Sequence, residues 1–541
     1  MKNLTVKIFV GLFVVAAVLL QSCKKDSETY SFLLNERGAF VEEPGGTTSL
    51  GFTAINISSV TPTTVPQGWS VTVDMNERRI SVTAPTTFPD DPKTLADGEE
   101  EEEENTNVRF GTVYLTGRSS GGSSVSTSLY VSLAETVDLT GQPSNCYIIN
   151  KSNARYCIDV TRKGEDTEAT MSPASVAILW ETPYKVIEFP KLVDGKAYFY
   201  HAIGTDDDEK EFFNHGNALL GAFDAAGNLL WSWHLWCAEF DPADEQVELG
   251  GEVMMKRNLG AGVVSGTSEE DILASYGVYY QWGRKDPFSN ATTVYGPEGN
   301  TLDMHSWPSC EGYTIDPVWN AQIGRKSGDY LYNGTVEFTL SHPATYISYA
   351  DEKDISNPNQ TWLRSDVPGH QNDRLWGTYF EKEAVGAATV LLSKSAFDPC
   401  PAGYRIPLIA PLKFTGNDVE SYTTEGVWLY IDSQRSVKAW YPYAGSRFSK
   451  MDASGKQIGI LGYTEGASGL YQFSYAASIW SATLEFVQEI SVGTSCNSDD
   501  LTVTGYSSTG YRPEFVYEGP YARSFALAVR CVREDANGIV R

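Results

Sequence analysis

Apolar side chains in this chain recur at every second position over short runs, and Gly, Ser, Asn and Asp punctuate those runs. Ser70-Val71-Thr72-Val73-Asp74 and Arg79-Ile80-Ser81-Val82-Thr83 alternate on either side of Met75-Asn76-Glu77. Gly111-Thr112-Val113-Tyr114-Leu115 and Ser128-Leu129-Tyr130-Val131-Ser132 flank a Gly/Ser turn, Ser119 to Ser124. A period of two puts one side of each run on a core and the other in water, so both pairs predict β-hairpins. Several such strands in one domain's length predict a small β-sandwich over residues 30–138. Trp69, in Pro66-Gln67-Gly68-Trp69, is expected in its core rather than on a binding surface. Inside this unit Asp97-Gly98 leads into six successive Glu, 99 to 104. Like charges so dense repel one another and predict a solvated loop. A Ca²⁺ loop would interleave its carboxylates with Gly and turn residues instead.

At 541 residues the chain has room for three or four domains of about 150 residues each. It carries 48 Gly, 25 Pro, 30 Tyr, 23 Phe and 13 Trp with few long helical periods, which makes the expected class mainly β, with α+β character toward the C-terminus. The formal net charge of −28 repels nucleic acid and anionic lipid, so neither is an expected partner.

The N-terminus sets the compartment. Lys2 and Lys7 precede an apolar run, Ile8 to Leu20, that stops at Leu20-Gln21-Ser22-Cys23. This is the pattern of a bacterial lipoprotein signal peptide over residues 1–22, with Cys23 as the acylated first residue of the mature chain. The run is too short to span a bilayer, whereas two or more acyl chains hold a protein on a membrane stably. Residues 23–29, with Lys24-Lys25-Asp26-Ser27-Glu28, read as a tether. Export permits disulfides, and seven Cys remain beside Cys23, an odd number. Cys146 and Cys157 lie on two strand-like runs around Asn150 to Arg155 and are a disulfide candidate across a hairpin. No C-x-x-C occurs, which argues against a structural zinc site.

A second β-rich module is expected over residues 139–249. Its strand Leu229-Leu230-Trp231-Ser232-Trp233-His234-Leu235-Trp236 puts Trp231, Trp233 and Leu235 on one face and Ser232, His234 and Trp236 on the other. Such a stack invites a sugar-platform reading. Core packing is the stronger one, because an exposed strand with three Trp is an aggregation hazard. Residues 250–541 are richer in loops, with a short helix expected at Glu269 to Tyr276.

Five blocks carry a family resemblance. Met255-Lys256-Arg257-Asn258-Leu259 is similar to an M-x-x-N-L block, and Tyr276-Gly277-Val278-Tyr279-Tyr280-Gln281-Trp282 to a Y-G-x-x-Y-x-W block. Cys400-Pro401-Ala402-Gly403-Tyr404-Arg405-Ile406-Pro407 resembles C-P-x-G-W-x-x-P, Ser478-Ile479-Trp480-Ser481-Ala482 a W-S-S block, and Val529-Arg530-Cys531-Val532 a terminal V-R-C-V. Together they resemble the Fibrobacter succinogenes major paralogous domain, which implies a C-type-lectin-like α+β domain over 250–541 with an insertion near 288–393. The first unit resembles the immunoglobulin-like modules of Bacteroidota surface lipoproteins, and the charged tether resembles their signal for the outer face of the outer membrane. In this frame Phe525, Leu527, Val529 and Cys531 share one face of a last strand, with Cys531 pointing inward, and Pro399, Pro401 and Gly403 hold Cys400 in a tight turn. Cys400–Cys531 is then the preferred disulfide, with Cys310 and Cys496 a weaker pair. Tyr404 departs from the family's Trp, and Pro411 stands where relatives begin a helix. The Glu-Pro-Asn and Trp-Asn-Asp motifs of calcium-dependent lectins are missing; Asn357-Pro358-Asn359 is a partial echo. Calcium-dependent sugar binding is therefore not implied.

None of the six His sits in a metal-binding spacing, and neither a Gly-x-Ser-x-Gly elbow nor a phosphate-binding loop occurs. The expectation is a non-catalytic surface protein without cofactor or metal, anchored in the outer membrane. It would bind or adhere, as a fimbrium-associated subunit with a pilin partner or, alternatively, as a glycan-binding lipoprotein. A glycan-active enzyme ranks third. Candidate ligand contacts are Trp282, Arg284, Trp236 and Tyr280, with the segment Trp282 to Phe288 and the 288–393 insertion as the recognition surface.

Overall fold

The computed structural model describes residues 29–89, 106–205, 210–290, 293–296, 299–303, 335–344, 362, 375–381, 389–392, 394–407, 414, 416–423, 425–444, 447–451, 457–461, 476–484, 498–504, 514–516 and 526–534. Cys23, the Glu99 to Glu104 run, Cys310, Cys496, the Asn357-Pro358-Asn359 echo, Pro411 and most of the 288–393 insertion lie outside them. The described residues form 38 strands and only two α-helices, so the chain is mainly β. They divide into two compact units, the first built from residues before 139 together with 152–157 and 198–202.

In the first unit, period-two sequence becomes two four-stranded sheets. One runs in the order Ser31–Leu34, Thr47–Ile55, Arg79–Thr83, Ser70–Asp74; the other Gly38–Val41, Ser124–Leu133, Phe110–Arg118, Ser59–Thr64. The Ser70–Asp74/Arg79–Thr83 hairpin pairs Val71 with Val82 and Val73 with Ile80. The Gly/Ser turn joins Phe110–Arg118 to Ser124–Leu133, with Leu115 opposite Thr127. Phe32, Leu50, Phe52, Ile80 and Val82 from one sheet meet Val41, Val60, Val113, Leu115 and Val131 from the other in one core, which makes the unit a sandwich. Trp69 joins this core, and its Nε1–H donates to the Val108 carbonyl at 2.8 Å. An indole N–H so placed is satisfied internally, and the ring is structural.

The second unit centres on the strand Leu229–Cys237. It lies inside a six-stranded sheet ordered Cys146–Ile149, Leu229–Cys237, Gly216–Phe223, Ser175–Thr182, Thr293–Tyr295, Thr301–Asp303. From Trp231 to Cys237 every residue is buried, on both faces. A strand covered on both sides needs a second layer, and residues beyond 250 supply it. Cys146 and Trp236 share one core with Met255, Leu259, Val278, Tyr280, Trp282, Cys400, Leu527, Val529 and Cys531. The expected boundary between a 139–249 module and a 250–541 domain is thus not a boundary between cores.

The sequence blocks meet in that core. Met255 N–H donates to the Cys531 carbonyl at 2.9 Å and Leu259 N–H to Val529 at 2.7 Å. Tyr280 pairs with Leu527, and Ile479 with Ala528. Asn258 donates to the Tyr276 carbonyl at 3.0 Å and accepts from Arg530 Nε at 3.0 Å. Cys400 and Cys531 are joined by a disulfide, Cα–Cα 6.0 Å. The predicted helix runs Glu269–Ser275, and the Ser268 side chain caps it by accepting from Asp271 N–H.

Cys146 and Cys157 are not bridged. Their runs do not form a hairpin: Cys146–Ile149 pairs in parallel with Leu229–Cys237, placing Cys146 beside His234, while Cys157 lies in another sheet opposite Asp138. Both are buried and outside any disulfide, as is Cys237. Similar strand patterns around a short polar segment do not distinguish a hairpin from two strands that part into different sheets.

His234 shows how the core is satisfied. Its Nε2 lies 2.8 Å from Asn217 Oδ1, while Asn217 Nδ2 donates to the Gly260 carbonyl, so Nε2 carries the proton. Nδ1 then accepts from the Tyr280 hydroxyl at 3.0 Å. Burial pushes the imidazole pKa down to about 3. The unfolded chain takes up this proton near the ordinary value of about 6.5, the folded chain only near 3. Acid therefore favours the unfolded state across that window, by about 1.4 kcal/mol per pH unit for one proton. His234→Gln should flatten the slope of unfolding free energy against pH between 6 and 4 relative to the wild type, measured by denaturant titration at each pH. Identical slopes would show that His234 is not the group held neutral.

Candidate functional site

The four residues expected to meet a ligand are all interior. Trp236, Tyr280 and Trp282 are fully buried and Arg284 is 2% exposed. Trp236 Nε1–H donates to the Ala261 carbonyl at 3.0 Å. The Tyr280 hydroxyl is held by His234. Trp282 packs on Trp376 with ring centroids 5.3 Å apart, and its carbonyl accepts from Trp362 Nε1. Arg284 donates to Gln281 Oε1 at 2.8 Å and to the Pro343 carbonyl at 2.9 Å, beneath the Phe288 ring. Tyr280, Trp282 and Arg284 lie in the layer over the Leu229–Cys237 strand to which Trp236 belongs, and all four side chains are buried. The neighbouring Lys285 and Asp286 form a buried ion pair at 2.6 Å, so the segment is a structural turn.

An accessible site lies elsewhere in the second unit, on a three-stranded sheet of Val419–Tyr422, Gly426–Tyr430 and Lys438–Pro442. Alternation gives this sheet two characters. Val427, Leu429, Ala439 and Tyr441 point into a core with Met254, Phe414 and Val532. On the other face the register sets Gly426 against Pro442, Trp428 against Trp440, and Tyr430 against Lys438. The connecting turn is fixed by Asp432, whose carboxylate accepts from the backbone N–H of Ser436 and Val437 at 2.9 and 2.7 Å. Sheet and turn together hold the two Trp side by side.

Their rings are 5.4 Å apart and tilted by 51°. Gly426 makes this possible: a Cβ there would fall 2.4 Å from Trp440 Cζ2, so the ring lies across the bare backbone. Trp440 is pressed to 5% exposure and Trp428 stays half-buried. Lys438 Nζ stands 4.9 Å from the Trp428 ring centroid and pairs with Glu420 at 3.1 Å. The Ser421 hydroxyl and then Lys438 hold the Glu420 carboxyl below the usual carboxylate range.

A cleft of about 260 Å³ opens here, lined among others by Glu245, Lys256, Val264, Trp428, Lys438 and Trp440. That is just under the roughly 300 Å³ at which small-molecule pockets begin, which suits a short stretch of a longer ligand. Both oxygens of Glu245 are taken by Arg257, at 2.5 and 2.6 Å. Trp440 Nε1 is buried and has no acceptor among the described residues. A buried donor left unmet costs about 1–3 kcal/mol. The cleft combines aromatic surface with charged side chains.

The expected contacts did not include Trp428 or Trp440. The signal for them is present: Gly426 to Tyr430 and Lys438 to Tyr441 both alternate, and a turn-rich Asp432 to Ser436 between them sets Trp opposite Trp. Among the described residues no group of His, Cys, Asp and Glu is arranged to hold a metal ion, and no helix is long and apolar enough to cross a membrane.

No family model and no curated protein matches the sequence. Among solved structures, the chain is similar to Bacteroides ovatus SGBP-B of the mixed-linkage glucan utilization locus in complex with a heptasaccharide. The identity is 12% over 37% of this chain and 43% of that one, with a TM-score of 0.12. The human desmocollin-1 ectodomain gives 11% over 39% and 41%, TM-score 0.14. The Yersinia pseudotuberculosis adhesin InvE gives 10% over 47% and 74%, TM-score 0.14. The chain spans less than half the length of the first two.

Proposed function

We propose that this chain is an exported, lipid-anchored surface protein that binds glycans without transforming them, through the Trp428–Trp440 cleft of its second unit. The observation that carries the reading is the pairing of a half-buried Trp with a more deeply set one, in a cleft rimmed by charge. Sugar rings present an apolar face that stacks on an indole and a ring of hydroxyls that hydrogen-bond at its edge. A pilin subunit, the partner first expected, would need about 800 Å² of contact on each side, far more than this cleft offers. The groups whose pKa burial displaces, including His234, Glu181 and Asp398, are not among the cleft's lining residues, and its lining carboxylate, Glu245, is held by Arg257. That favours a binder over an enzyme. The C-type-lectin-like ancestry of the second unit and the immunoglobulin-like character of the first belong to the same proposal.

The test is calorimetric titration of the full chain in detergent against a panel of plant, algal and host oligosaccharides. At least one should bind, and Trp428→Ala should weaken it by about thirtyfold, the loss of a central Trp contact. A panel without any binder, or a binder indifferent to Trp428→Ala, would overturn the reading. The anchor is checked separately: Cys23→Ser should move the protein from the membrane fraction to the soluble one, and retention on the membrane would refute lipidation.

A further inference from the structure

We infer that the ligand of this cleft is an acidic sugar, a uronate-type ring whose carboxylate pairs with Lys256; the inference rests on the glycan reading above. It follows from which charges in the cleft are already spoken for. Glu245 is neutralised by Arg257 through both oxygens, at 2.5 and 2.6 Å. Glu420, beside the cleft, is paired with Lys438 at 3.1 Å, and that same ammonium rests on the Trp428 ring. Lys256 remains. It lines the cleft and is half-buried, and among the described residues its ammonium has no ion-pair or hydrogen-bond partner. Its backbone N–H is fixed to the Glu245 carbonyl at 2.9 Å, so the stem starts from a set position.

A chain with net charge −28 has an unfavourable long-range field for an anion. A cation without a partner among the described residues, partly withdrawn from water in a cleft lined by two Trp, is where that field is locally reversed. Two complementary features then belong to one ring. Its apolar face stacks on Trp428, where the flexible Lys438 head can be displaced, and its carboxylate reaches Lys256. A neutral hexose satisfies the first and leaves Lys256 unpaired.

The experiment uses the full chain and matched pairs of probes: oligosaccharides of galacturonate, glucuronate and mannuronate, each beside its methyl ester, which keeps the sugar and removes the charge. The expected result is that at least one acid binds about tenfold tighter than its ester, the difference made by a charge-assisted hydrogen bond. Lys256→Met should erase that preference, with unchanged near-ultraviolet circular dichroism as the folding control. Equal binding of acid and ester overturns the inference and leaves the glycan reading standing. A preference that survives Lys256→Met overturns the assignment to Lys256. Binding of neither class overturns both.

Discussion

Replacing Cys400 and Cys531 together by Ala should lower the stability of the second unit by about 4–5 kcal/mol. The two residues are separated by 131 positions, and in the chain-entropy account closing so long a loop removes about that much free energy from the unfolded ensemble's advantage. The native turn does not depend on the bond alone. Asp398 accepts from Cys400 N–H at 2.8 Å and from Ile406 N–H at 3.1 Å, and Lys394 donates to the carbonyls of Cys400 and Pro401 at 3.0 and 2.8 Å. Both sulfurs sit in the core shared with Trp236 and Trp282. The variant is therefore expected to fold and to unfold earlier. Among the described residues every Trp except Trp69 falls in the second unit, so the shift is read directly as the fluorescence midpoint in guanidinium. An unchanged midpoint, in the variant or on reduction of the wild type, would show that the bond does not constrain the unfolded chain.

What the sequence makes legible follows from how local the deciding physics is. The hairpin at Ser70 to Thr83 and the Gly/Ser turn after Arg118 are settled by neighbours within a dozen residues, and the structure has them in that register. Trp69 is likewise determined by its place at the head of an alternating strand. The fate of Leu229–Cys237 is partly legible: three Trp on a strand argue for burial, but only the packing partners from beyond residue 250 show that both faces are covered. The same non-local event removes Tyr280, Trp282 and Arg284 from the surface. Their spacing marks importance to the fold, and it does not say which side faces water. Cys146 and Cys157 fail for a related reason, since two strands with a short polar connection can enter different sheets. The Trp428–Trp440 pair was within reach, because both strands alternate and the intervening turn fixes the register. Lys256, a cation without a partner among the described residues, was not, because the pairing of Glu245 with Arg257 and of Glu420 with Lys438 appears only in three dimensions.

Asp286→Ala should cost about 3–5 kcal/mol, the penalty for stranding one member of a buried ion pair. Lys285 and Asp286 are 1% and 3% exposed, and their 2.6 Å contact is completed by Ser232, whose hydroxyl donates to Asp286 Oδ1 and whose carbonyl accepts from Lys285 Nζ. The Trp231 ring lies 4.4 Å from the ammonium. Burial pushes the Lys285 pKa down, and Asp286 is the main influence pushing it back up. Without Asp286 the depression deepens, while the unfolded chain still binds its proton up to the ordinary lysine range. Between the two values the unfolded state holds more protons, so stability rises with pH. The gap between Asp286→Ala and wild type should accordingly narrow as pH rises toward the ordinary lysine range, as the stranded lysine is able to go neutral. Lys285→Met added to Asp286→Ala should recover much of the loss, because the pair is then replaced rather than broken. Denaturant titration of the three variants across that pH range checks all of this. A loss under about 1 kcal/mol that does not vary with pH, the size expected of an exposed pair, would mean that the turn is open to water after all. It would return Arg284 and its neighbours to the list of surface contacts.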